Sequence, residues 1–273
     1  MRVLVTGGAG FIGKHVVNEL FRRGHAVNVV DLKDEDSVDI LNLDALVRRM
    51  EWFRPDVVVH LAADMPPYAS DSLIYLTNVI GTKNVIEASR IADVEKIVFA
   101  SSAAVYGNGV TDEMEDLNPI SAYGISKMLG ELMLKSSPGV DYTVLRFFNV
   151  YGEHGHGVVN LLERSMKEGK KFVLFNGGTS VRDFVHVSFV VDAVIRGMEL
   201  PACTMNVGTG IGTTMSELAE SAVKHSPFEL VVDEKPNGEI QTSIAHVKVL
   251  KALMPDVFKR HEGFSIEDYW KTC

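Results

Sequence analysis

The stretch VTGGAGFIGKHVV at residues 5–17 constrains the fold more than any other part of the chain. It continues a β-branched run, RVLVT, and opens onto a helical pattern, with Gly7, Gly10 and Gly13 spaced three apart. Glycines so placed let the backbone turn tightly and come close to a pyrophosphate, whose charge sits well at a helix amino end. The next apolar run, AVNVVD, ends at Asp31, eighteen residues past Gly13. A carboxylate there can accept hydrogen bonds from both hydroxyls of a ribose and would repel a 2′-phosphate. That points to NAD rather than NADP, with Lys33 close by as a weak counter-signal.

The rhythm continues along the first half. DVVVHLA (56–62), KIVFASS (96–102) and YTVLRF (142–147) are compact apolar runs suited to strands buried on both faces. Helical patterns fall between the runs at roughly 11–23, 43–53, 74–92 and 120–136. Strand–helix alternation of this kind predicts an α/β fold of the Rossmann type, a doubly wound parallel sheet with its ligand crevice at the strand carboxyl ends. After residue 150 the rhythm loosens. The loop YGEHGHG (151–157) leads to a helix near 158–168, strands near 172–175 and 181–187, a helix near 188–199, and a strand, a GTGIG turn and a helix over 204–224. The reading is an NAD-binding domain at 1–150 and a smaller C-terminal α/β substrate lobe at 151–273, with segments such as 181–200 packing back on the first.

Composition limits the function. A formal net charge of −9 argues against nonspecific nucleic-acid binding, which releases counterions through excess positive charge. No apolar run approaches the length of a membrane span. Cys203 and Cys273 form no disulfide framework and suit a reducing cytoplasm, and an opening already in strand and turn leaves no room for a signal peptide. Glu153, His154 and His156 alternate in a glycine-rich loop that offers no fixed ligand geometry, so no metal site is expected there. His60 reads as a strand-end core histidine, Trp52 and Trp270 as packing residues, and Cys203 as a small buried hydrophobe.

In SAYGISKMLGE (121–131), Tyr123 and Lys127 stand four apart and therefore share a helix face. Alone, that spacing arises often by chance. Joined to the Gly-x-x-Gly-x-x-Gly loop, it resembles the extended short-chain dehydrogenase/reductase family, above all its NAD-dependent nucleotide-sugar epimerases. Further motifs follow in the family's order: VVHLAA (58–63), TNVIGTKNVIEA (77–88), SSAAVYG (101–107), LRFFNVYG (145–152) and RDFVHV (182–187). The resemblance implies cofactor contacts from Gly7, Gly10, Phe11, Ile12, Gly13, Asp31, Asp39, Ile40, Leu61, Ala62, Ala63, Asn78, Tyr123 and Lys127. It implies Ser102, Tyr123 and Lys127 as catalytic residues, and Ser102, Tyr123, Asn149 and Arg182 on the substrate side.

On that reading Lys127 lowers the Tyr123 pKa, and Tyr123 takes a proton from a sugar hydroxyl beside the hydride acceptor. The implied activity is C4 epimerisation of a nucleotide-linked hexose, UDP-linked by resemblance, through transient oxidation and hydride return. A keto-sugar reductase or other dehydrogenase of the same fold, and a noncatalytic NAD-sensing protein, remain as alternatives. Dehydratases of the fold carry an Asp-Glu pair directly after the serine, where this chain has Ala103 and Ala104. An arginine expected in the C-terminal lobe is missing from EKPNGEIQ (234–241), where Lys235 could take its place only as a point charge. Helices 74–92 and 120–136 carry Val79, Val85, Ile86, Met128 and Leu132, more apolar surface than one sheet face needs, and the family pairs these helices in a homodimer.

Overall fold

The computed structural model describes residues 1–33, 37–108, 111–234 and 240–272. Lys235 and Cys273 therefore lie outside the described residues. In chain order the first half runs β1 (Arg2–Thr6), α1 (Phe11–Arg22), β2 (Ala26–Val30), α2 (Leu43–Phe53), β3 (Val57–His60), α3 (Asp71–Tyr75), a π-helical turn (Leu76–Gly81), α4 (Thr82–Ile91), β4 (Lys96–Ser102), α5 (Ala122–Lys135) and β5 (Asp141–Phe147). Then come β6 (Asn149–Tyr151), α6 (Val158–Glu168), β7 (Phe172–Phe175), β8 (Val181–Arg182), β9 (Phe184–His186), α7 (Val187–Gly197) and β10 (Cys203–Val207). The remainder is β11 (Thr213–Thr214), α8 (Met215–His225), β12 (Leu230–Asp233), β13 (Thr242–Ser243), α9 (Lys248–Leu253), α10 (Pro255–His261) and α11 (Ile266–Trp270).

Six strands form one sheet in the order β10-β5-β4-β3-β1-β2, parallel throughout. The order reverses between β1 and β3, and a crevice opens at the carboxyl ends of strands at such a switch point. Side chains alternate across the pleat, so β1 sends Val3 and Val5 into one core and Leu4 into the other. The Val3 side packs on α1 and α7, through Val16, Leu20, Val190 and Val194. The Leu4 side packs on α2, α4 and α5, through Leu46, Met50, Val85 and Leu134. Each such side chain, fully buried, contributes about 1.5–3 kcal/mol.

The sheet does not end at residue 150. Its sixth strand, β10, pairs in parallel with β5 from Cys203↔Thr143 to Val207↔Phe147, and α7 covers the sheet beside α1. A third core joins Tyr151, Leu162, Leu174, Phe184, Leu218 and Trp270 in the C-terminal part. Trp270 is buried there as a packing residue. Trp52 is not: it lies 71% exposed on α2, because Met50 and Phe53 occupy the inward face of that helix. Val85 and Ile86 turn into the sheet core, and Met128 packs against a small cluster that includes Ala103, Val105, Tyr106 and Phe148. Leu73, Tyr75, Leu76, Ile80 and Leu132 stay exposed on α3, the π-helical turn and α5, and Val79 is half-buried. No helix among the described residues is long and apolar enough to cross a membrane.

Candidate active site

The glycine loop closes the gap between β1 and α1 by contacts that a side chain would block. Gly7 has φ +73°, and a Cβ on it would lie 2.6 Å from the Ala62 nitrogen; one on Gly13 would lie 2.1 Å from the Gly7 oxygen. Both glycines are required by close approach, and Gly7 by its left-handed turn geometry as well. Gly10 begins α1 with extended backbone and no side-chain cap, so the N–H groups of the first turn, which include those of Phe11, Ile12 and Gly13, carry no capping side chain. Asp31 stands just past β2, its Oδ2 accepting from Ala9 N–H at 3.0 Å and its Oδ1 from Lys33 N–H at 3.0 Å. Each oxygen keeps a lone pair for a further donor.

The other expected cofactor residues are held by the following contacts. Leu61 and Ala62 leave β3 with their N–H groups on the carbonyl and hydroxyl of Thr6, and Ala63 beyond them is exposed. Asp39 accepts from Leu41 N–H at 2.8 Å, while the Ile40 side chain is buried in the sheet core against Gly81. Asn78 lies inside the π-helical turn and is buried. It accepts from Asp64 N–H and donates to Asp64 C=O and to Ser126 Oγ, tying the 64-loop to α5. His60 is buried between Thr6 and Thr82 hydroxyls, and burial pushes its pKa down to about 3, a neutral core histidine as its sequence position suggests.

Ser102 ends β4, and its Oγ accepts from Ala104 N–H at 3.1 Å. Tyr123 and Lys127 occupy successive turns of α5, with Lys127 Nζ 5.7 Å from the Tyr123 ring centroid. Ser102 hydrogen-bonds the Tyr123 phenol. Lys127 is buried, donates to Ala100 C=O at 2.9 Å and lies over the Phe99 ring. The expected lowering of the Tyr123 pKa by Lys127 is not what these groups produce. Burial pushes the phenol up to about 12, and only the Ser102 hydrogen bond works the other way. Burial also brings Lys127 down to about 8. The ammonium is turned to the Ala100 carbonyl, and the desolvation of a phenolate outweighs what remains of its field.

Asn149 on β6 and Arg182 on β8 are both held by backbone carbonyls near Asp183. Asn149 donates from Nδ2 and from its backbone N–H to Asp183 C=O, and Arg182 donates to Val181 C=O and Gln241 C=O from β8. Between them the buried Asp183 accepts from Thr209, Gly210 and Ala245. Sequence reading passed over a second buried group. Glu131 receives two hydrogen bonds from Arg146, at 2.9 and 2.7 Å, and one from Ser101. Burial pushes Glu131 up, but the Arg146 and Ser101 bonds outweigh it and leave the carboxyl below its ordinary value. Arg146 also donates to the Tyr106 hydroxyl, which donates to Asn206. The available signal was Glu131 one turn past Lys127 on the same helix.

A 2-1-3-4-5 parallel order with a glycine loop at the switch point defines a Rossmann-type dinucleotide-binding protein, and Ser102, Tyr123 and Lys127 lie together at the same sheet edge. Residues 3–208 match the NAD dependent epimerase/dehydratase family, and the chain belongs to it. It is 34% identical to the UDP-glucose 4-epimerase of Mycolicibacterium smegmatis, over 80% of each chain. Its fold is similar to that of Thermus thermophilus UDP-glucose 4-epimerase solved in complex with NAD, at 31% identity and TM-score 0.88 over 99% of both chains. The Thermotoga maritima UDP-glucose 4-epimerase, solved with UDP-glucose, matches at 33% identity and TM-score 0.84 over 92% of both.

Proposed function

We propose that this chain is an NAD-dependent nucleotide-sugar 4-epimerase that interconverts the C4 epimers of a UDP-linked hexose. The observation that carries this is the convergence of Ser102, Tyr123 and Lys127 at the carboxyl edge of the sheet, with Ala103 and Ala104 directly after the serine. Neither alanine can remove a proton or protonate a leaving hydroxyl, so elimination lacks its acid and base while reversible hydride transfer lacks nothing. The similarity to three UDP-glucose 4-epimerases supports the same reading.

The residues fit the cofactor. Gly7, Gly10 and Gly13 leave the space and the uncapped helix start that a pyrophosphate needs, Phe11 and Ile12 follow on the same first turn, and Asp31 offers its carboxylate to ribose hydroxyls. Asp39, Ile40, Leu61, Ala62, Ala63 and Asn78 line or support the same crevice. NAD, when bound, supplies the hydride acceptor and a positively charged ring. Tyr123 takes the proton from the C4 hydroxyl and returns it, and Ser102 holds the same oxygen. Positive charge beside the phenol opposes the effect of burial and brings Tyr123 toward its working range. Asn149 and Arg182 serve the nucleotide diphosphate. The protein acts in the cytoplasm as a homodimer.

The test is incubation of the purified protein with UDP-glucose and no added cofactor. UDP-galactose should accumulate with no net change in absorbance at the reduced-nicotinamide band. Net reduction of NAD, or release of a 4-keto-6-deoxy sugar, would assign the site to a different reaction.

A further inference from the structure

Away from the crevice, three side chains from distant parts of the chain converge. Asp112 and Glu113 follow the turn after Ser102, and His246 precedes α9; one ligand atom of each lies within 4.8 Å of the others. His246 Nδ1 is 3.3 Å from Asp112 Oδ2 and 3.8 Å from Glu113 Oε2. Donors bound tetrahedrally at zinc–ligand lengths stand about 3.3 Å apart, so small side-chain movements suffice to close the set.

A second observation points to a cation. The Glu113 side chain is only 3% exposed, and its Oε2 is buried without a hydrogen-bond donor among the described residues, on the side facing His246. Its other oxygen accepts from Asn206 N–H at 2.8 Å. Asp112 repeats the pattern: Oδ1 accepts from Met114 N–H at 3.0 Å and Oδ2 faces the imidazole. In each carboxylate one oxygen is thus oriented by a backbone donor and the other is directed into the cluster, as outer-shell contacts orient metal ligands. Asn206 Nδ2 further bridges Thr111 C=O and His246 C=O, and Thr111 Oγ1 donates to Ile244 C=O, which holds the two segments in register. A buried carboxylate oxygen with no donor is costly unless positive charge meets it.

We propose that Asp112, Glu113 and His246 form a binding site for a divalent transition-metal ion, with water as a further ligand. One imidazole and two carboxylates suit Zn²⁺ better than Ca²⁺ or Mg²⁺, which favour all-oxygen sites. The half-exposed His246 ring leaves the site open to solvent for entry. The ion clips the segment after the Ser102 turn to the C-terminal part of the chain. This is independent of the epimerase reading, since it uses none of its residues.

The test is calorimetric titration of the chelator-treated full chain with ZnCl₂, followed by thermal unfolding with and without the metal. One Zn²⁺ should bind per chain, and about a hundredfold excess over Kd should raise Tm by about 5–10 °C. His246→Ala, at a half-exposed position, and Asp112→Asn should each weaken binding at least about a hundredfold while circular dichroism stays unchanged. Glu113→Gln, which keeps an acceptor for Asn206, should do the same. Absence of binding to the wild type would overturn the proposal. Equal binding by His246→Ala would also overturn it, as adventitious capture by other histidines.

Discussion

Among the proposed catalytic residues, Lys127 carries a charge into a buried position at the expense of stability. Tyr123→Phe keeps the packed ring and removes the hydroxyl; epimerase turnover should fall about a hundred- to ten-thousand-fold, with the fold and NAD binding retained. Full activity in that variant would remove Tyr123 from the mechanism. Lys127 carries its charge in a buried position, which brings its pKa from 10.5 to about 8. Lys127→Met relieves that desolvation, on the order of 3 kcal/mol, but strands the Ala100 carbonyl at about 1–3 kcal/mol. The expected net effect at neutral pH is a gain of about 1 kcal/mol, or 2–4 °C in Tm, with activity lost. The sign also sets a pH dependence. Between pH 8 and 10 the unfolded chain holds more protons at this lysine than the folded one does, so wild-type stability rises through that window. Above the ordinary tyrosine value of 10.0, the raised Tyr123 works against the rise. Lys127→Met should lack the gain between pH 8 and 10 in denaturant titrations; an unchanged slope would show that Lys127 is not desolvated.

At the level of elements, α5 is fastened to the sheet from its polar side as well as its apolar one. Leu134 enters the core, while Glu131 reaches Arg146 on β5 and Ser101 on β4. Since Ser101 adjoins Ser102 and Glu131 follows Lys127 by one turn, this pair ties together the two elements that carry the proposed acid–base residues. Glu131→Gln leaves a buried guanidinium without its counter-charge. Breaking such a pair from one side typically costs about 3–5 kcal/mol, and urea unfolding should show a loss near the lower end because glutamine still accepts a hydrogen bond. A loss under about 1 kcal/mol would mean that the pair is no stronger than a surface ion pair.

In the whole molecule, α3, the π-helical turn and α5 carry an exposed apolar row. Leu73, Leu76, Ile80 and Leu132 stay 42–49% exposed there, while Val85 and Ile86, read from the sequence as part of the same stripe, are core. An exposed row of this kind supports a two-fold interface, in which the same patch meets its own copy. Light scattering should give a dimer for the wild type and a monomer for the double variant Ile80→Glu/Leu132→Glu. A monomeric wild type at micromolar concentration would refute the interface.

The parallel sheet, its glycine loop and the alternation of strand and helix were legible from local signals, because a strand buried on both faces and a helix with one apolar face each leave a pattern within a dozen residues. For the same reason α2, α6, β1, β4 and β7 lie where those patterns place them. Ser102, Tyr123 and Lys127 could be read by resemblance, and their meeting at one sheet edge follows from the right-handed order of βαβ units. Other features depend on contacts between residues far apart in sequence. The sixth strand comes from residues 203–207, beyond the point where the rhythm loosens, because β5 still offered an unpaired edge. Trp52 is exposed because two neighbours had already filled its helix's inward face. The Tyr123 pKa rises because burial, which no spacing reveals, outweighs a lysine four residues away. Glu131–Arg146 and Asp112–Glu113–His246 join segments up to 134 residues apart, and only the folded chain brings their charges within reach of one another.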